Sequence, residues 1–366
     1  MTENIDEKIE KIEQEIRETP YNKSTEQHIG RLKAKIAKLK EKKEKIDKGT
    51  SEGGGGYDIR KEGDATVALV GLPSVGKSTL LNKLTNAESE VADYHFTTLD
   101  VIPGIMEHNG AEIQLLDLPG LVEGAAKGKG RGREILSVIR NVDLIMIIGD
   151  IYRSNISKIV DELRSHGIRL NQKPPDIKIR EKDKDGIKIN TTVELKDIRK
   201  KTVMEILREF GYVNADVVIR SDINDQDLVD YLSRNRVYLP AFPIINKVDL
   251  IGIKEREKLR EKLEESDPLL ISAAEGDGIE QVKQRIFDEL DFIRVFLRPQ
   301  GEKADDEPMV VKKGSTVKDI CKKLHSDFIE KFRYARIWGE SAKFPKQRVG
   351  LDHELVEEDT VRIITE

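Results

Sequence analysis

The chain has 366 residues, with 63 Lys and Arg against 68 Asp and Glu for a net charge of −5, and one cysteine, Cys321. That length allows two or three domains with cores of their own, while the charge balance excludes an overall basic field, so any RNA contact must come from local patches and DNA is not an expected partner. A single cysteine excludes an internal disulfide, no run of about 18 apolar residues offers a membrane span, and no apolar signal segment is visible, so a cytoplasmic protein is expected.

Residues 1–52 are predicted to form a helical hairpin. Ile5, Ile9, Ile12 and Ile16 recur at helical spacing, Pro20 interrupts, and Ile29, Leu32, Ile36, Leu39 and Ile46 resume the stripe in a second helix. Ser24 with Gln27 suits a capping box at its start. The first helix is acidic, and the second carries Lys33, Lys35, Lys38, Lys40, Lys42, Lys43 and Lys45. Two uses of those lysines stay open: pairing with the acidic helix, or gripping RNA phosphates. Gly53–Gly56 reads as a flexible linker.

The next domain is assigned to residues 58–166 and 239–295. Ala65–Val70 is a short buried strand and Thr79–Thr85 the helix that follows. Between them Gly71-Leu72-Pro73-Ser74-Val75-Gly76-Lys77-Ser78 matches the phosphate-binding loop G-x-x-x-x-G-K-[ST]. The spacing comes from the chemistry. Gly71 and Gly76 let backbone close around a phosphate, and the helix N-terminus aims free N–H groups at the anion. Lys77 is expected to reach the β- and γ-phosphates, and Ser78 to hold Mg²⁺; Thr79 completes the nucleotide-binding stretch. Asp93–Asp100 reads as a polar loop containing Phe96, Thr97, Thr98, Leu99 and Asp100. Thr98 is the first choice for the threonine that ligates Mg²⁺ and senses the γ-phosphate, with Thr97 the alternative.

Val101–Glu107 and Ala111–Asp117 are predicted to pair through Asn109-Gly110. The second strand ends in Asp117-Leu118-Pro119-Gly120, where Asp117 would hold Mg²⁺ through water and the Gly120 N–H would meet the γ-phosphate. The glycine-rich run Glu123–Arg133 suggests a segment ordered only by bound triphosphate. Val142–Gly149 is a further buried strand and Ser154–His166 a helix. Residues 167–238 then interrupt the alternation. Asp176–Arg180 and Gly186–Val193 suggest a hairpin around a charged turn, Arg199–Glu209 a helix, Ala215–Ile219 a strand and Asp225–Ser233 a helix, together a small inserted α/β domain. The core resumes at Phe242 with a strand and Asn246-Lys247-Val248-Asp249, the guanine-reading N-K-x-D. Asp249 can accept from the two N–H groups of guanine's Watson–Crick edge, which adenine lacks, and Lys247 can lay its stem along the base. Ser272-Ala273-Ala274 ends another strand behind the base. Gly278–Arg294 is expected to close the domain as a helix. Lys77, Thr98 and Gly120 carry the expected catalytic contribution, with Lys77 stabilising transition-state charge; no base is assigned.

Residues 296–366 form a third unit. Met309–Gly314 gives a strand and turn, Thr316–Phe332 a helix with Val317, Ile320, Leu324 and Phe328 on one face, and Tyr334–Trp338 and Thr360–Ile364 strands, suggesting a β-grasp. Trp338 and Phe344 either stack on RNA bases or pack at the core and its rim.

The ordered set GLPSVGKS, FTT, DLPG, NKVD and SAA resembles translation-factor-class GTPases. More narrowly, GLPSVGKST, YHFTTLDVIPG, IQLLDLPGLVEGA with GKGRGRE, and GIRLNQKPPDI resemble the developmentally regulated GTP-binding (DRG) family of Obg-type GTPases, and RYARIWGESAKFPKQRVGLDHELVEEDTVRI resembles a TGS domain. The resemblance spans essentially the whole chain and looks archaeal. It implies a P-loop GTPase domain with a helical hairpin, a ribosomal-protein-like α/β insert and a TGS β-grasp. It implies slow hydrolysis of GTP to GDP, Mg²⁺ as cofactor, and partners around translation: the ribosome, its rRNA or tRNA, and a dedicated protein. One departure stands out. Leu121 occupies the place of a water-orienting glutamine, which predicts a low intrinsic rate and keeps open a scaffold in which nucleotide is mainly structural. Where potassium-using relatives carry an asparagine, Ser74 stands, so K⁺ stays an option that turnover in KCl against NaCl would decide.

Overall fold

The computed structural model describes residues 4–49, 62–85, 102–118, 131–152, 156–233, 236–263, 267–299 and 303–365. The chain divides into two compact units, one from residues 1–56 and 167–238, the other from 57–166 and 239–366.

Two helices lead, α1 (Ile5–Glu18) and α2 (Glu26–Gly49). Ile9 and Ile12 of α1 and Ile29 and Leu32 of α2 are buried, while Ile46 is 48% exposed, so the apolar stripe stops short of the expected end. Asn22, not Ser24, organises the entry to α2: its Oδ1 accepts from the Ser24 and Thr25 N–H groups at 2.8 and 3.1 Å, a short side chain bonding backbone two and three residues on. Lys40 pairs with Glu13 at 3.6 Å and Lys43 with Asp6, so these two lysines are used within the hairpin.

The second unit opens with β1 (Ala65–Gly71), buried at every position as a central strand requires. Next come α3 (Lys77–Leu84), β2 (Ile102–His108) and β3 (Ala111–Asp117). Asn109 (φ 52°) and Gly110 (φ 82°) supply the two left-handed residues that a two-residue hairpin needs. α4 (Arg131–Ile139), β4 (Leu144–Asp150) and α5 (Ile156–Ser165) complete this stretch.

The excursion runs through β5 (Ile168–Leu170), β6 (Ile177–Glu181), β7 (Ile187–Thr191), α6 (Lys200–Glu209), β8 (Ala215–Ile219), α7 (Asp225–Ser233) and β9 (Val237–Leu239). The hairpin expected around the charged turn does not form. β8 lies between β6 and β7, antiparallel to one and parallel to the other. The reason is composition: β8 (ADVVI) is the most apolar of the three, whereas β6 (IKIRE) and β7 (IKINT) carry charge that suits an edge. The insert also does not stand apart from the hairpin. Ala34 and Ala37 of α2 share one core with Val203, Ile206, Leu228 and Val229. Glu26 accepts from the Arg199 N–H (3.0 Å) and the Thr202 hydroxyl (2.8 Å), and Lys33 pairs with Asp225 at 2.8 Å. The small face of α2 permits this approach, since a Cβ on Gly30 would lie 3.1 Å from Ile206 and Thr202.

β10 (Ala241–Asn246), α8 (Ile253–Lys262), β11 (Leu269–Leu270) and α9 (Ile279–Glu289) return to the second unit. Its main sheet runs β11-β10-β4-β1-β3-β2, parallel except for β2 against β3. The phosphate loop thus leaves the carboxyl end of a central strand, where ligands bind in open α/β sheets. The helix expected over Gly278–Arg294 ends at Glu289, and Asp291 takes a left-handed φ of 53° that breaks the helical path. The chain then enters β12 (Phe292–Leu297), so the last sheet begins before residue 296.

That sheet adds β13 (Met309–Lys312), then helices α10 (Val317–Leu324) and α11 (Asp327–Glu330), then β14 (Phe332–Trp338), β15 (Gln347–Val349) and β16 (Asp359–Thr365), in the order β13-β12-β16-β14-β15. The single helix expected over Thr316–Phe332 is broken at His325, whose extended backbone (φ −173°) leaves the helical region. One face of the sheet packs on Val317, Ile320 and Cys321. β12 pairs parallel with β16 while β14 runs antiparallel to it, the crossover of a β-grasp. Phe344 is 60% exposed and Trp338 half-buried, so neither belongs to the core.

Candidate nucleotide-binding site

Three strand ends on one edge of the main sheet build the site: β1 feeds the phosphate loop, β3 ends at Asp117 and β10 at Asn246. β1 and β3 pair in parallel with Leu69 opposite Asp117, which sets that carboxylate beside the loop. The Ser78 hydroxyl donates to Asp117 Oδ2 at 2.6 Å. Asp117 Oδ1 is buried with no hydrogen-bond partner among the described residues. Lys77, 8% exposed, folds its ammonium onto the carbonyls of Gly71 and Leu72, both at 3.1 Å. Burial pulls its pKa below the ordinary lysine value, and Asp117 opposes that shift in part. A buried carboxylate oxygen without a partner is costly. Next to a serine hydroxyl at a helix N-terminus, it is the donor set that a hard cation completes. Ser78 and Asp117 therefore fit Mg²⁺.

The loop geometry is held from behind by Asn246. Its amide donates to the Val75 carbonyl at 2.9 Å, and its Oδ1 accepts from the N–H of Lys247 (2.8 Å) and of Ala273 (2.9 Å). One buried side chain thus ties the phosphate loop to both loops expected around the base. Gly76 (φ 95°) permits this, because a Cβ there would collide with the Asn246 amide nitrogen. Lys247 (φ 65°) sends its ammonium to the Ser74 carbonyl at 2.7 Å and to Asp150 at 2.8 Å. Val248 packs in the core while Asp249 is exposed, and no described residue hydrogen-bonds or ion-pairs with its carboxylate. Ser272 and Ala273 are buried and Ala274 exposed, with the Gly276 N–H turned back to the Ser272 carbonyl at 2.8 Å.

The structure thus brings together Gly71 to Thr79, Asp117, Leu118, Asn246 to Asp249 and Ser272 to Ala274. Pro73, Ser74, Ser78 and Thr79 lie on its exposed side, and Val75 and Leu118 are fully buried beneath it. Phe96, Thr97, Thr98, Leu99, Asp100, Pro119, Gly120 and Leu121 lie outside the described residues.

Asp150 is the residue that sequence reasoning passes over. It ends β4 opposite Asn246 of β10, is 3% exposed, accepts the Tyr152 N–H at 3.0 Å and holds the Lys247 ammonium. The signal is present: an acid ending the apolar strand Leu-Ile-Met-Ile-Ile-Gly-Asp, just as Asp117 ends Ile-Gln-Leu-Leu-Asp.

Comparison with known proteins agrees with this geometry. A family model described as a 50S ribosome-binding GTPase matches residues 66–182, the C-terminal region of that domain matches 184–292, and a TGS domain model matches 293–365. An uncharacterised GTP-binding protein of Methanocaldococcus jannaschii is 51% identical over 98% of this chain and 93% of its own length. Developmentally-regulated G-protein 3 of Arabidopsis thaliana is 44% identical, and developmentally-regulated GTP-binding protein 2 of Bos taurus 41%, each over 98% of both chains.

Proposed function

This chain belongs to the developmentally regulated GTP-binding family of P-loop GTPases, and from that premise we propose that it is a Mg²⁺-dependent guanine-nucleotide switch acting on the ribosome. The observation that carries the reading is the Asn246 tie. It makes the phosphate loop and the base-reading loops one object, so occupancy of one is felt by the other. Asp249 is the acceptor that selects guanine; a site built on such hydrogen bonds rejects a base lacking them by about 10⁴-fold or more. Ser78 and Asp117 would hold Mg²⁺, which neutralises charge on the β- and γ-phosphates. Lys77, kept close by its burial, swings from the loop carbonyls to the phosphates and stabilises negative charge there. Thr98, or Thr97 in its place, with Gly120 senses the γ-phosphate.

Hydrolysis is slow on this reading because Leu121 cannot orient water by hydrogen bonding. A partner protein or a monovalent cation accepted near Ser74 supplies what is missing, and turnover in KCl against NaCl separates these. The ribosomal target draws on the description of the family model that covers residues 66–182. No helix among the described residues is long and apolar enough to cross a membrane, which accords with work in the cytoplasm.

Co-sedimentation with ribosomes of matched origin tests the switch. Binding favoured by a non-hydrolysable GTP analogue over GDP is expected. Equal binding in both states would favour a ribosome-bound scaffold with structural nucleotide, and no binding in either state would remove the ribosome as target while leaving the GTPase assignment standing.

A further inference from the structure

The sheet of the C-terminal unit has a second face that its core does not use. Register places Arg362 of β16 opposite Arg336 of β14, and Arg336 opposite Arg348 of β15. Arg298 extends the same row just past β12, where its carbonyl accepts from Arg362 Nε at 3.3 Å. Four arginines therefore cross four adjacent strands, a row about 14 Å long at the usual strand spacing. Trp338 and Tyr334 flank it on either side. Arg298 and Arg362 lie over the Trp338 ring at 4.9 and 5.6 Å, and Arg348 and Arg336 over the Tyr334 ring at 3.8 and 5.9 Å.

Like charges directly opposite on a sheet destabilise it. Elsewhere in this unit cations find acids: Arg294 bonds Glu357 and Glu358, at 2.6 and 3.1 Å. On this face, no described carboxylate pairs with Arg336, Arg348 or Arg362. The rings hold the guanidinium planes by cation–π contact but do not neutralise them. Planar cations that offer forked N–H donors, set among aromatic rings, match phosphates and unpaired bases together. An acidic protein segment would satisfy the charge but bring no flat bases to stack on the layer that the guanidinium planes and rings form.

We propose that this face binds single-stranded RNA, with backbone phosphates on the arginine row and bases stacked on Trp338 and Tyr334. The choice of RNA over DNA rests on the ribosomal role proposed for the chain; the binding surface does not. It is also independent of the switch, because none of its residues touches the nucleotide site.

The chain reports on this face directly, since Trp338 is its one tryptophan. The full chain is titrated with a mixed-sequence single-stranded RNA, the same sequence as DNA, the RNA duplex, and polyglutamate, following intrinsic tryptophan fluorescence across a salt series. Quenching by the single-stranded RNA ahead of the other three is expected. The triple variant Arg336→Gln, Arg348→Gln, Arg362→Gln should lose at least tenfold in affinity, and its log–log salt slope should fall by about 2, three contacts at about 0.7 each. Guanine-nucleotide affinity measured on the same sample should be unchanged, which certifies the fold. Trp338→Phe should keep RNA binding by anisotropy, while Trp338→Ala weakens it. No quenching at low salt, full affinity in the triple variant, or polyglutamate outcompeting RNA would each overturn the proposal. Tighter binding of the DNA would overturn the choice of RNA. Failure of ribosome binding with RNA quenching intact would strike the switch reading alone.

Discussion

Two buried acids in this molecule behave in opposite ways. Asp230, in the insert, accepts from Arg169 Nη2 and Arg236 Nε, both at 2.8 Å, and from Gln226 at 2.9 Å, besides a further bond from Arg169 Nε. Burial alone would raise its pKa, but the hydrogen bonds and charges of the two arginines outweigh that and hold it below the usual carboxylate value. Asp117, beside the phosphate loop, has one oxygen on Ser78 and the other without a hydrogen-bond partner among the described residues. The first cluster is closed and its chemistry is complete within the protein. The second is open and its chemistry is finished by a ligand. Burial of charge by itself identifies neither; the state of its hydrogen bonds does.

The comparison breaks most visibly at the base. Asp249→Asn should move preference from guanine toward xanthine nucleotides by about 10⁴-fold in relative affinity, with the apo stability unchanged. Competition between GDP and XDP reads it, and an unaltered preference removes Asp249 from the site. Next comes the closed cluster. Asp230→Ala removes the carboxylate that buried Arg169 and half-buried Arg236 share and should cost about 3–5 kcal/mol in denaturant unfolding. Guanine-nucleotide affinity should not move; if it falls while stability holds, the cluster is not complete within the protein.

Asp117→Asn tests the open side. The nucleotide-free protein should unfold within about 1 kcal/mol of the native chain, or later, because a costly unpaired charge has gone. The gain in GTP affinity on adding Mg²⁺ should shrink about 10- to 100-fold. A stability loss as large as that of Asp230→Ala would erase the distinction. Asp150→Asn is milder, since the amide still accepts from Lys247 but without charge. Nucleotide binding should weaken about tenfold or less, with Mg²⁺ dependence intact. The smallest effect is on pH. The folded Asp230 carboxyl titrates below its unfolded value of about 3.9. Its stabilisation is therefore complete above pH ~4 and lost as pH falls through the lower folded value. Asp230→Asn should lack that share of the acid slope, measured as unfolding midpoints between about pH 5 and 2.

The nucleotide site is largely legible in the sequence because its signals are local. Gly71 to Ser78 is one strand–loop–helix segment, and each neighbouring motif ends a strand of its own. The features that escape sequence reasoning are non-local in each case. Asp150 carries no motif; its meaning appears only when β4 pairs with β10 and sets it opposite Asn246. β8 reads as a strand from its own residues, but its central place depends on the competition of three segments for one position. The stretch Phe292–Arg294 reads as more helix because the apolar period of α9 runs into it without Gly or Pro, and Asp291 gives no local sign of its left-handed turn.

By itself, then, the amino-acid sequence determined which short segments carry nucleotide chemistry, since backbone wrapping, anion-facing N–H groups and base-edge acceptors depend on neighbours a few residues away. Only the tertiary structure decided which acid serves Lys247, which side of α2 meets the insert, and that four arginines from distant strands share one row. Strand order and register join residues far apart in the chain, and the energy that selects them is the burial of whole faces rather than any local preference.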